Sequence, residues 1–174
     1  MTERSEQPNT NSAVISNCGQ YRYRLERSIS HAGPVIAFFG VNPSRADADI
    51  DDATVRKWRG FSQRLGASRF IVGNAFAYRS TDVKRLADMP SHEAIGPDNY
   101  NHLACIIAEA DVLVPCWGTR NKLPKRLHGR LDWMRDLMNC SGRPVRVFGL
   151  ARSGDPLHPL MLAYDTPLIE WVKP

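Results

Sequence analysis

The chain has 174 residues, of which 43% are hydrophobic and 24% charged, enough for one globular domain with a sizeable core. Its net charge of +5 suits a polyanionic partner, but the arginines are spread along the chain rather than gathered in one basic tail. No apolar run reaches the roughly 18 residues of a membrane span, and the N-terminus lacks a charged-then-apolar leader, which predicts a cytoplasmic protein with no membrane partner.

In chain order, residues 1–20 are rich in Ser, Thr, Asn, Gln and Glu, and read as a loose polar tail ahead of a single domain over 21–174. The segment "YRYRLERSI" alternates aromatic or apolar residues with arginine, the period of a half-exposed strand. "HAGP" makes a turn, and "VIAFFGV" is a continuously apolar strand buried on both faces. Next comes "NPS" and then "ADADIDD". Val55, Trp58, Phe61 and Leu65 recur at helical spacing, with Asp51 or Asp52 as the cap and Gly66 as the stop.

"RFIVGNAFAY" predicts the next buried strand, and "YRSTDVKRLADMP" a loop with a short helix. Pro97 starts a helix whose inward stripe is Leu103, Ile106 and Ala110. "DVLVPCWG" is a third strand, followed by a helix with Leu127, Leu131, Met134 and Met138 on one face. "PVRVFGL" is a fourth strand, and after the turn "RSGDP" and the segment "LHPLML" a short edge strand lies near "PLIEWV". Strands alternating with helices predict a three-layer α/β/α domain around a central, mostly parallel four-stranded sheet. In such sheets the ligand crevice lies beyond the carboxyl ends of the strands. The predicted strand ends are Asn42-Pro43-Ser44, Asn74 to Arg79, Trp117-Gly118-Thr119 and Ala151 to His158.

Those ends carry the candidate chemistry. Pro43 holds Asn42 extended, so its amide is either aimed at a ligand or caps a turn. Asn74 interrupts an apolar strand and needs a partner, either in a neighbouring loop or in a ligand. Phe76 and Tyr78 are either a stacking wall or core. His158, held extended before Pro159, is either structural or a donor at the crevice, and Leu160 and Met161 are either a wedge between bases or core packing. The aspartates Asp47, Asp49, Asp51 and Asp52 lack the Gly and Glu of a calcium loop. They read as a helix cap in an acidic loop, with a general-base carboxylate as the lesser reading. Cys18, Cys105, Cys116 and Cys140 have no metal-site spacing and read as reduced thiols. No G-x-G-x-x-G, Walker loop or G-x-S-x-G occurs, so neither a bound metal nor a cofactor is expected.

Four blocks, "GVNPSRADADIDDATVRKW", "NAFAYRSTDVKRL", "CWG" and "SGDPLHPLML", resemble the signature of domain of unknown function family 1643, over Tyr21 to Trp171. More distantly they resemble the uracil-DNA glycosylase superfamily, whose mismatch-specific members carry a strand ending in Gly-Ile-Asn-Pro-Gly. That resemblance implies a glycosylase-like fold with Asn42 positioning the attacking water, Asn74 reading a flipped base and His158 assisting its departure. It also implies a base-binding role for Phe76 and Tyr78, and contact with a DNA wedge or phosphate for Leu160, Met161, Ser44 and Arg79. The implied function is hydrolysis of the N-glycosidic bond of a damaged or modified base, with DNA as partner. The chain departs from those enzymes where aspartates follow Asn42-Pro43 and where the final block lacks a serine-rich loop. A non-catalytic nucleic-acid or nucleotide-binding module, and an enzyme on free nucleosides or nucleotides, are the alternatives. Oligomeric state is not set by the sequence.

Overall fold

The computed structural model describes residues 11–171. Its strands are β1 (Ser12–Ile15), β2 (Arg22–Ser28), β3 (Val35–Gly40), β4 (Arg69–Asn74), β5 (Val112–Pro115), β6 (Arg146–Val147) and β7 (Ile169–Glu170). The helices are α1 (Ala53–Arg64), α2 (Ser91–Ile95), α3 (Asn99–Glu109) and α4 (His128–Asn139), with single 3₁₀ turns between them. The main sheet is five-stranded and mixed, in the order β1-β2-β4-β3-β5. Only β4, β3 and β5 run parallel; β1 and β2 add antiparallel strands at one edge.

This differs from the predicted four-stranded, mostly parallel sheet in two ways. The expected polar tail supplies β1 from residue 12 onward, while residues 1–10 of that tail lie outside the described part. Alternation alone cannot reveal β1, because its four residues are stabilised by pairing with β2 rather than by an apolar run of their own. The predicted fourth strand shrinks to two residues that pair with β7, and the segment just before them meets β5 through a Leu113–Val145 bridge and the Leu113 amide bond to the Pro144 carbonyl.

Alternation does decide the faces of the parallel strands. Ile36, Phe38, Phe70 and Val72 pack on one side against Val55, Trp58 and Phe61 of α1. Ala37, Phe39, Ile71 and Leu113 pack on the other against Leu103 and Ile106 of α3 and Leu131, Met134 and Met138 of α4. The crossover β3-α1-β4 steps to one side of β3, and β4-α3-β5 passes back over it to the other side. The carboxyl end of β3 is therefore a topological switch point, where neighbouring loops part and leave a crevice.

Strand β2 is not half-exposed, as its alternation predicts. Arg22 and Arg27 are both buried, because β1 and the loop after β3 cover them. Arg27 bonds Asp51 at 2.8 Å and the carbonyls of Asp47, Ile50 and Glu26, so the acidic loop folds onto a buried guanidinium. Asp51 also receives Arg59, Asp47 caps the amides of Asp49 and Ile50, and Asp52 caps Val55 at the start of α1. The conspicuous carboxylates are thus largely spent on building the loop.

Candidate functional site

Beyond the ends of β3, β4 and β5 lies a cavity of about 460 Å³. Asn42, Asn74 and His158, which sequence order spreads over more than a hundred positions, all line it, as do Ser44, Leu160 and Met161. Its other walls include Arg22, Asp52, Trp58, Trp117 and Lys122.

Each strand end is fixed from behind. The ladder continues past β4, with the amides of Ala75 and Phe76 donating to the carbonyls of Gly40 and Val41. Asn99, the first residue of α3, donates to the carbonyls of Asn74 and Ala75, and Arg130 adds a bond to Ala75. Asn74 is only 2% exposed, and its carboxamide lies across Gly40, its register partner on β3. A β-carbon at position 40 would sit 2.9 Å from Asn74 Oδ1, so the glycine makes room for the amide. Asn74 Nδ2 has no hydrogen-bond partner among the described residues.

Asn42 is held more firmly than a free-standing lip residue. Its Nδ2 donates to the carbonyls of Ser80 at 2.9 Å and Pro43 at 3.1 Å, which ties the loop after β3 to the loop after β4. The amide nitrogen is thereby occupied, while Oδ1 has no partner among the described residues.

His158 approaches from the loop after β6. Buried Asp155 accepts from the backbone and side chain of Arg120, and the Gly118 amide donates to Pro156, which clamps this loop onto the end of β5. Gly118 has φ +75°, and a β-carbon there would meet the His158 β-carbon at 3.2 Å. His158 Nδ1 accepts the Leu160 amide at 3.3 Å, so the neutral ring carries its proton on Nε2. Burial first, then the charge of Lys122, holds its pKa below the ordinary value, with Asp52 opposing.

That shift has a measurable consequence. A depressed folded-state pKa means that the unfolded chain binds the proton first, so this contribution to stability is complete above about pH 6.5 and lost as pH falls through the folded value. In thermal melts from pH 8 to pH 5, H158N, whose amide oxygen replaces the Nδ1 acceptor, is expected to lose less stability than wild type. Half-buried His102, also depressed by burial, supplies a residual slope in both proteins. Parallel melting curves would remove His158 as a linked group.

Three predicted residues, Phe76, Tyr78 and Arg79, do not reach the cavity. Phe76 is fully buried in the apolar cluster under α3 and α4, because the chain turns at the end of β4 and carries it inward. Tyr78 packs edge-on against Tyr21, and with Arg79 it lines a separate depression on the far side of the Asn42–Ser44 lip. Ser44 lines both hollows. The aromatic walls of the cavity are instead Trp58, on α1, and Trp117, at the end of β5. Helical spacing marks Trp58 only as core, and nothing in the sequence distinguishes an indole whose edge is core from one whose edge faces a ligand. Leu160 and Met161 stand at the rim in a 3₁₀ turn, and Met161 is 89% exposed. Cys116 is not a nucleophile for this site, since burial pushes its thiol up to about 12.

The polarity of the walls is lopsided. Eight buried side-chain polar atoms among the described residues have no close hydrogen-bond partner, and four of them lie on residues that line this cavity: Arg22 Nε, Trp58 Nε1, Asn74 Nδ2 and Trp117 Nε1. All four are donors, but the Trp58 indole is engaged with the Cys116 thiol, which leaves three. Buried polar groups are normally satisfied, so the clustering points to a ligand rich in acceptors. Arg22 adds a positive charge, which burial pushes down to about 10 and therefore leaves protonated at neutral pH.

No curated protein sequence and no solved structure matches the chain. Residues 22–160, a span that holds every wall of the cavity except Met161, match the family described as "Protein of unknown function (DUF1643)", and the chain belongs to that family.

Proposed function

We propose that the protein is a base-processing hydrolase with a uracil-DNA-glycosylase-like arrangement, cleaving the N-glycosidic bond of a damaged or modified base in DNA. The observation that carries this reading is the meeting of Asn42, Asn74 and His158 on one cavity with the two indoles, Asn74 holding an unpaired donor there. An enzyme acting on a base must take it out of the stack, and a pocket that receives a base needs flat apolar walls and a polar reader of its edge. Trp58 and Trp117 supply the walls and Asn74 the reader. Exposed Leu160 and Met161 at the rim are suited to fill the gap left in the duplex.

The reaction adds water across the C1′–N bond. The water oxygen bonds to C1′, the bonding pair leaves with the base, and the base later takes up a proton. Asn42 Oδ1 orients the water, and Asp52 accepts its proton through the oxygen not engaged with Val55. His158 Nε2–H faces the departing base and stabilises its developing negative charge, as a preorganised donor does at a cost of roughly 10²–10³-fold in rate when removed. Asp52 is thus both cap and base, a role that the sequence subordinates to the cap.

The test is a panel of oligodeoxynucleotides carrying uracil, hypoxanthine, mismatches or modified pyrimidines, scored for abasic sites. Release from at least one is expected, with Asn42→Ala slowing it about 100-fold. Absence of abasic sites on every substrate, with saturable binding of the same DNA, would overturn hydrolysis in favour of a binding module. Release from free nucleosides alone would move the substrate off DNA.

A further inference from the structure

Three buried charged residues of the described chain outside this cavity are instructive here, together with one inside it. Glu26 is buried and paired with Arg24 at 2.6 Å and with Arg69. Arg27 is buried and paired with Asp51 at 2.8 Å, and Asp155 is buried and paired with Arg120 at 2.9 Å. Arg22 is equally buried, at 2% exposure, yet no carboxylate forms a salt bridge with it among the described residues. Its one hydrogen bond is from Nη1 to the Ala46 carbonyl at 2.8 Å, and Nε has none. It is also the one member of the buried charged set that lines the cavity.

A buried ion without a counter-charge is costly to a fold, and the usual remedies are a partner or replacement by an apolar residue. Three of the four buried charges follow the first remedy. The fourth stands at a cavity wall shared with the Trp117 indole and the Asn74 amide, whose donors have no partner among the described residues. Asp52, the carboxylate on the same cavity, is committed through Oδ1 to the start of α1 and favours the Arg22 charge only through space, without a salt bridge. Lys122 adds a second, exposed cation to the wall.

We propose that Arg22 is an anion-binding residue of this site, and that the ligand carries a negatively charged group, phosphate or carboxylate, into the cavity. The inference rests on the reading of the cavity as a nucleotide-unit site and names its substrate class. The charged group is either the phosphate of the nucleotide or an acidic substituent on the base. Both present paired oxygen acceptors to a guanidinium, which binds them with charge-assisted hydrogen bonds.

The experiment is calorimetric titration of wild type, Arg22→Met and Arg22→Lys with four probes: 2′-deoxyuridine, its 5′-monophosphate, 5-carboxy-2′-deoxyuridine and inorganic phosphate. At least one charged nucleoside is expected to bind about 30-fold more tightly than the neutral one, the advantage vanishing in R22M and partly returning in R22K. A gain confined to the monophosphate, with competition by inorganic phosphate, identifies the nucleotide phosphate; a gain confined to the carboxylated base identifies a substituent. Because R22M removes a buried charge that the carboxylates of Asp52 and Asp47 favour only at a distance, without a salt bridge, its melting temperature without added ligand is expected to equal or exceed that of wild type, which a purely structural arginine would not allow. Equal affinity for neutral and charged probes, or a charge preference that survives in R22M, overturns the proposal. Should R22M not fold, the wild-type and R22K titrations decide on the same criteria. Charge-dependent binding without base release from any substrate would leave the anion site standing and remove the glycosidic reading. Base release undiminished in R22M would do the reverse.

Discussion

Asn74→Ala is expected to lower kcat/KM for base release about 1,000-fold while leaving the folded protein as stable as wild type. The two halves of this result come from one atom. Asn74 Nδ2 is buried and has no partner among the described residues, so the fold gains nothing from it and carries the desolvation cost of an unmet donor, roughly 1–3 kcal/mol. Truncation removes that cost and offsets the small void left behind. In the complex the same donor meets an acceptor on the base edge, and a site built for a hydrogen bond loses several powers of ten when the bond is taken away. A thousandfold loss corresponds to about 4 kcal/mol of transition-state stabilisation. Asn74→Asp separates shape from donation, since it keeps the outline and an acceptor while removing the N–H₂ group. It is expected to be as impaired as the alanine variant. Thermal melts and steady-state rates on the best substrate check both. A variant that unfolds, or one that keeps its rate, would make Asn74 a strand-end residue and nothing more.

Asn42, Asn74 and His158 were legible because each sits at a strand end, next to a proline or inside an apolar run that it interrupts. Such positions need only local pattern and the rule that crevices open beyond parallel strands. Arg22 illustrates what local pattern misses. Its alternation with Tyr21 and Tyr23 predicts a solvent-facing side chain, and only the cover supplied by the loop around Ala46 buries it. Trp58 fails to announce itself for a related reason: it stacks on Phe38 as a core residue does, and only its edge reaches the cavity. Phe76 and Tyr78 err in the other direction. Adjacency to Asn74 in sequence suggested adjacency in the site, but the backbone turns immediately after β4 and directs them to the core and to Tyr21. The length of the sheet was misread because β1 and β6 are four and two residues long, and strands that short are defined by their partners.

Arg27→Ala is expected to be the most destabilising single change in the chain and to abolish activity without touching the cavity. Arg27 is 1% exposed and anchors the loop after β3 through Asp51 and through the carbonyls of Asp47 and Ile50. Removing one partner of such a buried pair costs about 3–5 kcal/mol, because the remaining groups keep their desolvation and lose their compensation. For a domain of this size that is a fall of roughly 6–20 °C in melting temperature. The loop also sets the start of α1, where Asp52 caps Val55 and lines the cavity, so its release takes the proposed base out of position. Asp51→Ala approaches the same state from the other side, leaving Arg27 buried and without its carboxylate. The double variant R27A/D51A is therefore expected to lose less stability than the sum of the two single changes, the mark of a coupled pair. Strict additivity in denaturant melts would show that the acidic loop does not depend on Arg27. The sub-additive outcome assigns the run of aspartates its main task, which is to fold back on a buried arginine and deliver one carboxylate, Asp52, to the mouth of the helix and the site together.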